Sequence, residues 1–155
     1  VLPEAQLDRF LMRLSIGYPT LAEELDIMYA QHYQHPIEDI RPVISERDIL
    51  SARQAVANIE IRQNVAEYIA QITSSTRTNP ELKLGVSPRG TLALARVTKA
   101  CAYIKGRDYV TPDMVKTMAP YVLTHRMIVK PEVAVVGKTA EHILREILDS
   151  VKPPL

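Results

Sequence analysis

The sequence predicts a mainly α-helical protein in which a helical bundle follows a single β-strand. Three observations support this fold class. Apolar residues recur every three or four positions along most of the chain, and serine, threonine and proline stand where helices are expected to begin. Only one longer stretch alternates with a period of two. At 155 residues with 46% hydrophobic content, the chain has enough material for one domain with a sizeable core.

The alternating stretch lies near the start of the chain. A short helical or turn segment from Leu2 to Asp8 leads into it, and from Phe10 to Ile16 every second residue is Phe, Met, Leu or Ile. A strand of this length needs neighbouring strands for its backbone hydrogen bonds. Because no comparable strand is predicted elsewhere, we expect this one to belong to a sheet that lies mostly outside the sequence.

Two capping boxes predict the next two helices. Thr20 with Glu23 begins the first, and Ser45 with Asp48 begins the second. Their apolar stripes run over Leu21, Leu25, Met28, Tyr29 and His32, and over Ile49, Ala52, Val56 and Ile59. Pro36 and Pro42 mark the connection between them. His32 and His35 could share a helical face, but no cysteine or carboxylate pattern completes a metal site, so we interpret them as a surface pair and predict no metal site.

Further apolar stripes predict the helices of the second half. A third helix carries Val65, Tyr68, Ile69 and Ile72, and is expected to dissolve in the polar run from Thr73 to Pro80. Pro88 begins a fourth, whose inward residues are Leu94, Val97, Cys101 and Ile104, with Gly106 as its C-terminal cap.

The last third of the chain mixes helix signals with apolar β-like segments. Thr111-Pro112-Asp113 begins a fifth helix, which Pro120 is expected to kink or divide. Its inward residues are Val115, Met118, Ala119 and Val122. Met127 to Val129 and Val133 to Val136, joined by Lys130-Pro131-Glu132, are consistent with a small β-hairpin. A final amphipathic helix carries Ile143, Leu144, Ile147, Leu148 and Val151.

Composition argues against several classes of partner. The formal charge of +1, from 19 basic and 18 acidic residues, provides no general attraction for nucleic acid or an anionic membrane. No apolar run is long enough to span a bilayer, and no signal peptide is recognisable. The single cysteine, Cys101, allows no internal disulfide and fits a reducing compartment. We therefore expect a soluble cytoplasmic protein.

Ser87-Pro88-Arg89 is the most informative local motif. Ser87 is suited to accept a hydrogen bond from a first-turn N–H, and Pro88 suits the first helical position. Arg89 then adds a permanent charge where the helix dipole and unpaired N–H groups already favour anions. The motif predicts a phosphate contact, although a capped helix with a solvated arginine is the simpler interpretation of these three residues alone.

Catalytic motifs for nucleotide hydrolysis are missing. Gly137-Lys138-Thr139 resembles the end of a P-loop, but Glu132 occupies the position of the first glycine. No apolar strand ends in Asp-Glu to hold magnesium. We expect this sequence alone neither to bind ATP tightly nor to hydrolyse it.

Several ordered motifs resemble the MoxR family of AAA+ ATPases. They are Leu2-Pro3-Glu4-Ala5-Gln6-Leu7-Asp8-Arg9-Phe10, Ile16-Gly17-Tyr18-Pro19, Gly85-Val86-Ser87-Pro88-Arg89-Gly90, the run from Gly106 to Val115, and His125-Arg126. The resemblance implies that residues 1–19 end a P-loop core and that 20–155 form a linking helix and helical lid. The predicted strand would then be the last strand of the core sheet.

The same resemblance implies roles for two arginines. Arg9 aligns with the arginine finger, a catalytic residue that reaches the nucleotide of a neighbouring subunit. Arg89 aligns with the sensor 2 arginine, which contacts the γ-phosphate in its own subunit. Val86 and Gly90 depart from the family pattern, in which alanine is usual at both positions. Arg96 shares a helix face with Arg89 and could assist with the phosphate or contact a neighbouring subunit, but an exposed arginine is the simpler interpretation there.

For the full-length protein, the resemblance implies ATP with Mg²⁺, a ring of identical subunits that is hexameric in the family, and chaperone-like remodelling. It also implies a von Willebrand factor A protein as a partner. The alternative is a free-standing helical adaptor that binds a peptide or nucleic acid without nucleotide chemistry. That alternative accounts for the helices and the missing P-loop but leaves the unpaired strand unexplained.

Overall fold

The computed structural model describes residues 4–30 and 36–154. These residues fall into two compact units. One consists of the residues up to Arg13 together with those from Gln54 onward, and the other is Leu14–Arg53. The mainly α-helical fold class is confirmed. The helices are α1 (Glu4–Leu7), α2 (Leu21–Ala30), α3 (Glu46–Asn58), α4 (Gln63–Thr78), α5 (Pro88–Ile104), α6 (Pro112–Leu123), α7 (Pro131–Val135) and α8 (Ala140–Ser150).

The smaller unit contains α2, a 3-10 turn at Pro36–Asp39 and most of α3. Both predicted capping boxes are confirmed: the Thr20 backbone N–H donates to Glu23 Oε2 at 2.7 Å, and that of Ser45 donates to Asp48 Oδ2 at 2.8 Å. Hydrogen bonds from the Thr20 backbone and hydroxyl lower the pKa of Glu23. Bonds from the Ser45 hydroxyl and backbone lower the pKa of Asp48. The predicted apolar stripes of this unit include exposed side chains, Leu21 and Met28 among them.

The larger unit holds the core. Helices α4, α5, α6 and α8 pack around side chains that are completely or almost completely buried, namely Tyr68, Ile72, Leu94, Val115, Leu123, Ile143 and Leu144. All of these except Leu123 lie on the apolar stripes predicted from the sequence. Gly106 follows the C-cap residue Lys105 of α5 and has a φ of +65°, so the predicted role of this glycine in ending the helix is confirmed.

Helix α4 is longer than predicted. It continues to Thr78 through the polar run that we expected to end it. Thr73 and Thr76 are buried there, and their hydroxyl groups donate to the carbonyl oxygens of Ala70 and Thr73 at 3.1 and 2.6 Å. Because the threonines satisfy their hydroxyls within the helix, their burial does not interrupt it. Pro120 likewise lies inside α6 without ending it.

The β-structure differs from the prediction. Phe10–Ile16 forms no strand, and no described segment pairs with it as a ladder; Arg13 N–H instead donates to the Tyr121 carbonyl oxygen at 2.8 Å. An extended segment without a neighbour gains no ladder hydrogen bonds, so the alternating pattern alone does not produce a strand.

The predicted hairpin is also wrong. Strand β2 (Ile128–Val129) pairs antiparallel with β1 (Leu82–Leu84), a segment far away in sequence. The residues predicted as the second arm, Val133 to Val136, lie in helix α7 and at its C-cap. Pro131 occupies the first position of this helix, where a missing N–H has no cost.

No helix in the described part of the chain is both long enough and apolar enough to cross a membrane.

Candidate functional site

The first turn of α5 presents the predicted anion-binding motif. Ser87 is the N-cap residue, with φ −70° and ψ 164°, and Pro88 occupies the first helical position. The Ser87 side chain makes no capping bond, contrary to expectation. Its hydroxyl donates to the carboxylate of Asp8 instead, at 3.1 Å to Oδ2 and 3.3 Å to Oδ1. The start of α5 is therefore tied to the segment that follows α1.

Arg89 is exposed at the second position of α5. Within residues 4–30 and 36–154, no hydrogen bond or ion pair involves its guanidinium group. A guanidinium in this position adds its charge to the positive end of the helix dipole and presents several donors in one plane. The arrangement is suited to a phosphate group arriving from outside the described chain.

Arg126 is the buried counterpart of Arg89. Its side chain is only 2% exposed, and Nε donates to Asp8 Oδ1 at 3.1 Å. The remaining N–H groups donate to backbone carbonyl oxygens of Asp8, Phe10, Leu11 and Val122. Burial lowers the pKa of Arg126, Asp8 opposes this effect, and the nearby charge of Arg89 adds to it. All of its donors are engaged, so Arg126 holds protein rather than ligand.

His125 lies against the same cluster. Burial is the main cause that lowers its pKa, followed by the charge of Arg126, so the ring is neutral at pH 7. Arg126 Nη1 lies 2.7 Å from His125 Nε2. The same nitrogen lies 3.3 Å from the Phe10 carbonyl oxygen, which can only accept, whereas the guanidinium can only donate, so the two contacts require opposite tautomers. Among the described residues, the buried Nδ1 has no hydrogen-bond partner.

Arg9 lies in the turn after α1. Its backbone N–H donates to the Gln6 carbonyl oxygen at 3.1 Å, while its side chain is exposed. In the described part of the chain, no side-chain partner of Arg9 occurs. The two arginines predicted as site residues are therefore both exposed. Asp8, next to Arg9 in the chain, accepts the hydrogen bond from Ser87 that links their two segments.

The loop before α5 is fixed by α4. Val86 N–H donates to Thr76 Oγ1 at 2.9 Å, and Arg77 Nε donates to the Val86 carbonyl oxygen at 2.8 Å. Gly85 packs directly on the α4 backbone. These contacts set the position and direction of the first turn of α5, and therefore of Arg89.

A cleft of about 650 Å³ borders the polar cluster. Asp8, Ser87, His125 and Arg126 form its polar side. Its apolar side is formed by Leu7, Leu84, Met127, Ile128 and Val129, so the β1–β2 pair contributes to the wall beside the site.

Val86 and Gly90 form a matched pair. A Cβ at position 90 would lie 2.4 Å from Val86 Cγ1 and 3.0 Å from Arg126 Cδ. Both residues are buried. The two departures from alanine noted in the sequence thus compensate each other, because the valine fills the space that a second alanine would need.

We expect Gly90→Ala to destabilise the chain by about 1–2 kcal/mol, because the collision outweighs a helix-propensity gain of about 1 kcal/mol. Val86→Ala should cost about 2 kcal/mol through the space it leaves. The double variant should cost about 1 kcal/mol less than the sum. Chemical denaturation of the four proteins measures this coupling, and strictly additive losses would contradict the pairing.

Sequence reasoning located Arg9 and Arg89 but assigned nothing to Asp8 or to the burial of Arg126. Both residues lie in motifs that carry the family resemblance. Their pairing joins positions 118 residues apart, so no local pattern could have identified it.

Metal binding has no support in the described part of the chain. His32 and His35 lie outside the described residues. Elsewhere in the described ranges, no group of three His, Cys, Asp or Glu side chains is placed to hold a metal ion.

Comparisons with known proteins agree with the sequence motifs. A family model described as the AAA lid domain matches residues 74–147. The chain is 46% identical to the uncharacterized protein YeaC of Bacillus subtilis over 154 residues, which are 99% of this chain and 48% of that protein. It is 30% identical to the chaperone MoxR1 of Mycobacterium tuberculosis over 162 residues, covering 99% of this chain and 42% of that protein.

A solved structure has the same fold. The crystal structure of an ATPase candidate from Cytophaga hutchinsonii superposes on the whole chain with a TM-score of 0.91 at 30% identity, and the match covers 50% of that protein. The chain thus spans about half the length of the relatives that it matches.

Proposed function

Because this chain belongs to the MoxR-like AAA+ ATPases and contains their lid domain, we propose that it closes over ATP in the full-length protein and carries two arginines that act on the γ-phosphate. Residues 1–19 would end the ATPase core, and 20–155 would form the linking helix and lid. Arg89 would contact the nucleotide of its own subunit, and Arg9 that of the neighbouring subunit.

The observation that carries this proposal is the contrast between neighbouring arginines. Arg126 is buried with every donor engaged, whereas Arg89 is exposed at a helix start without a protein partner among the described residues. Arg89 therefore keeps its donors for an incoming anion. A phosphate bound there would gain both charge neutralisation and geometric fit from the guanidinium.

The arginines would act electrostatically. ATP, held with Mg²⁺ by the core, supplies a γ-phosphoryl group whose oxygens carry negative charge during transfer to water. Arg9 would neutralise part of that charge from across the subunit interface, and Arg89 would hold the lid at the angle set by the nucleotide. Rate effects of such contacts in other NTPases span orders of magnitude.

Further features follow from the family. We propose a ring of identical subunits, hexameric as in the family, because a finger in one subunit needs the nucleotide of another. A chaperone-like remodelling role is supported by the name of the mycobacterial relative. A von Willebrand factor A partner and a cytoplasmic location complete the proposal; the single cysteine fits the latter. No relative supports a free-standing adaptor, and we do not propose one.

Subunit mixing tests the proposal. In the full-length protein, Arg9→Ala should lower ATP turnover by about 100-fold or more, because the interface loses its charge-neutralising group. A P-loop lysine variant should also be inactive. Mixed rings should recover turnover, since the P-loop variant still provides Arg9 to neighbouring subunits that bind ATP.

Arg13→Ala is the matched control, since Arg13 is an exposed arginine of the same segment. It should retain normal turnover. Mixtures that remain as inactive as their two parents, although they assemble, would refute the intersubunit role of Arg9.

A further inference from the structure

Asp8 connects the two segments that carry the proposed arginines. Its carboxylate accepts from Ser87 Oγ at 3.1 and 3.3 Å and from Arg126 Nε at 3.1 Å. Asp8 directly precedes Arg9, and Ser87 stands two residues before Arg89. A single carboxylate thus links the Arg9 turn to the first turn of α5.

Arg126 strengthens this connection with several further hydrogen bonds. In addition to the Asp8 carboxylate, it donates to the backbone carbonyl oxygens of Asp8, Phe10 and Leu11, and to that of Val122 near the end of α6. Its side chain is 2% exposed and that of Asp8 31%. Because the pair is largely removed from water, its geometry is held more firmly than that of a surface ion pair.

The position of the Ser87 hydroxyl indicates what the connection does. A serine at an N-cap ordinarily accepts a hydrogen bond from its own helix. Here the hydroxyl makes no such bond and donates to Asp8 instead. The Ser87 side chain therefore does not cap α5, but it links the start of α5 to Asp8.

We propose that Asp8 is a positioning residue that holds the Arg9 turn and the Arg89 helix together through Ser87 and Arg126. A lid that shifts with its own nucleotide would then carry Arg9 with it and change how Arg9 meets the neighbouring subunit. The inference rests on the proposed roles of the two arginines. Asp8 itself touches no nucleotide in this scheme.

The test extends the mixed-ring experiment with the full-length protein. Ser87→Ala is introduced only into the P-loop lysine variant, which is then mixed with Arg9→Ala subunits. The altered subunit hydrolyses nothing itself, so its Ser87 influences turnover through the Arg9 that it presents to its neighbour. We expect recovery to fall about tenfold, because the Arg9 turn is no longer linked through Asp8 to the first turn of α5.

Three controls separate positioning from folding. Ser87→Thr keeps the hydroxyl and should restore recovery. Glu146→Gln, which weakens the distant pair with Lys138 at 2.8 Å, should leave recovery unchanged. The melting temperature of the Ser87→Ala subunit should stay within about 2 °C of the parent, since a single partly buried hydrogen bond contributes little net stability.

The outcomes distinguish the two proposals. Full recovery with Ser87→Ala overturns the role of Asp8 and leaves that of Arg9 intact. No recovery in the parent mixture refutes the role of Arg9 and removes the basis of this inference. If the melting temperature of the Ser87→Ala subunit falls by more than about 2 °C, Asp8→Asn is introduced into the same P-loop variant instead. Undiminished recovery of turnover then overturns the proposal, and a tenfold loss in a folded subunit supports it.

Discussion

Replacing Arg89 with alanine should lower the ATP turnover of the full-length protein by about 100-fold or more while the lid keeps its fold. The guanidinium is exposed and has no hydrogen-bond or ion-pair partner among the described residues, so its removal breaks no such bond in that part of the chain. In the transition state, by contrast, the protein would lose a charge-assisted contact with the γ-phosphate. Activity and stability should therefore respond very differently.

The measurement compares steady-state ATP turnover with the thermal midpoint of the same protein. Arg96→Ala is the matched control, because Arg96 is another exposed arginine of α5, farther from the helix start. It should change turnover by less than about twofold. Equal turnover in the Arg89→Ala and Arg96→Ala proteins would contradict the assignment of Arg89.

Alanine at position 85 should destabilise the chain by about 3 kcal/mol or more, the largest stability effect that we expect. A Cβ there would lie 2.5 Å from the Thr76 carbonyl oxygen and 2.7 Å from Arg77 Cα. These are backbone atoms of α4, so no side-chain rotation relieves the contact. The loop must move away, and the 2.9 Å bond from Val86 N–H to Thr76 Oγ1 would be lost or stretched.

Thermal unfolding of the 155-residue chain measures this effect, with an expected fall of the midpoint by about 10 °C. Gly106→Ala is the control, since a Cβ added there would have no atom within 4 Å and only the φ of +65° opposes a side chain. That substitution should cost about 1 kcal/mol. Similar losses at both positions would indicate that Gly85 does not pack closely against α4.

Local sequence signals predicted most of the helices. These signals depend on residues within one or two helical turns of each other. They are the capping boxes at Thr20 and Ser45, the prolines at first helical positions, and the apolar stripes at three- and four-residue spacing. A helix satisfies its backbone hydrogen bonds from within itself, so such signals suffice to place it. The continuation of α4 beyond Ile72 was not predicted, because composition does not reveal that buried threonines can donate hydrogen bonds to carbonyl oxygens of their own helix.

The β-segments could not be predicted in the same way. Alternation at Phe10–Ile16 and the apolar residues near Val133 identify extended-chain preference, but a strand exists only where a partner supplies its ladder. The partner of Ile128 and Val129 is Leu82–Leu84, and helices α5 and α6 lie between the two strands in the sequence. Which segment meets which is a property of the packed bundle.

The sequence by itself determined most of the helices, the family resemblance and the two arginines proposed for the site, because each depends on residues that are close together in the chain. Only the tertiary structure decided that Arg126 is buried and engaged while Arg89 is exposed, and that Asp8 receives hydrogen bonds from both Ser87 and Arg126. These contacts join segments 79 and 118 residues apart. Their existence depends on how α5 and α6 pack, since burial and long-range pairing arise only when the core closes.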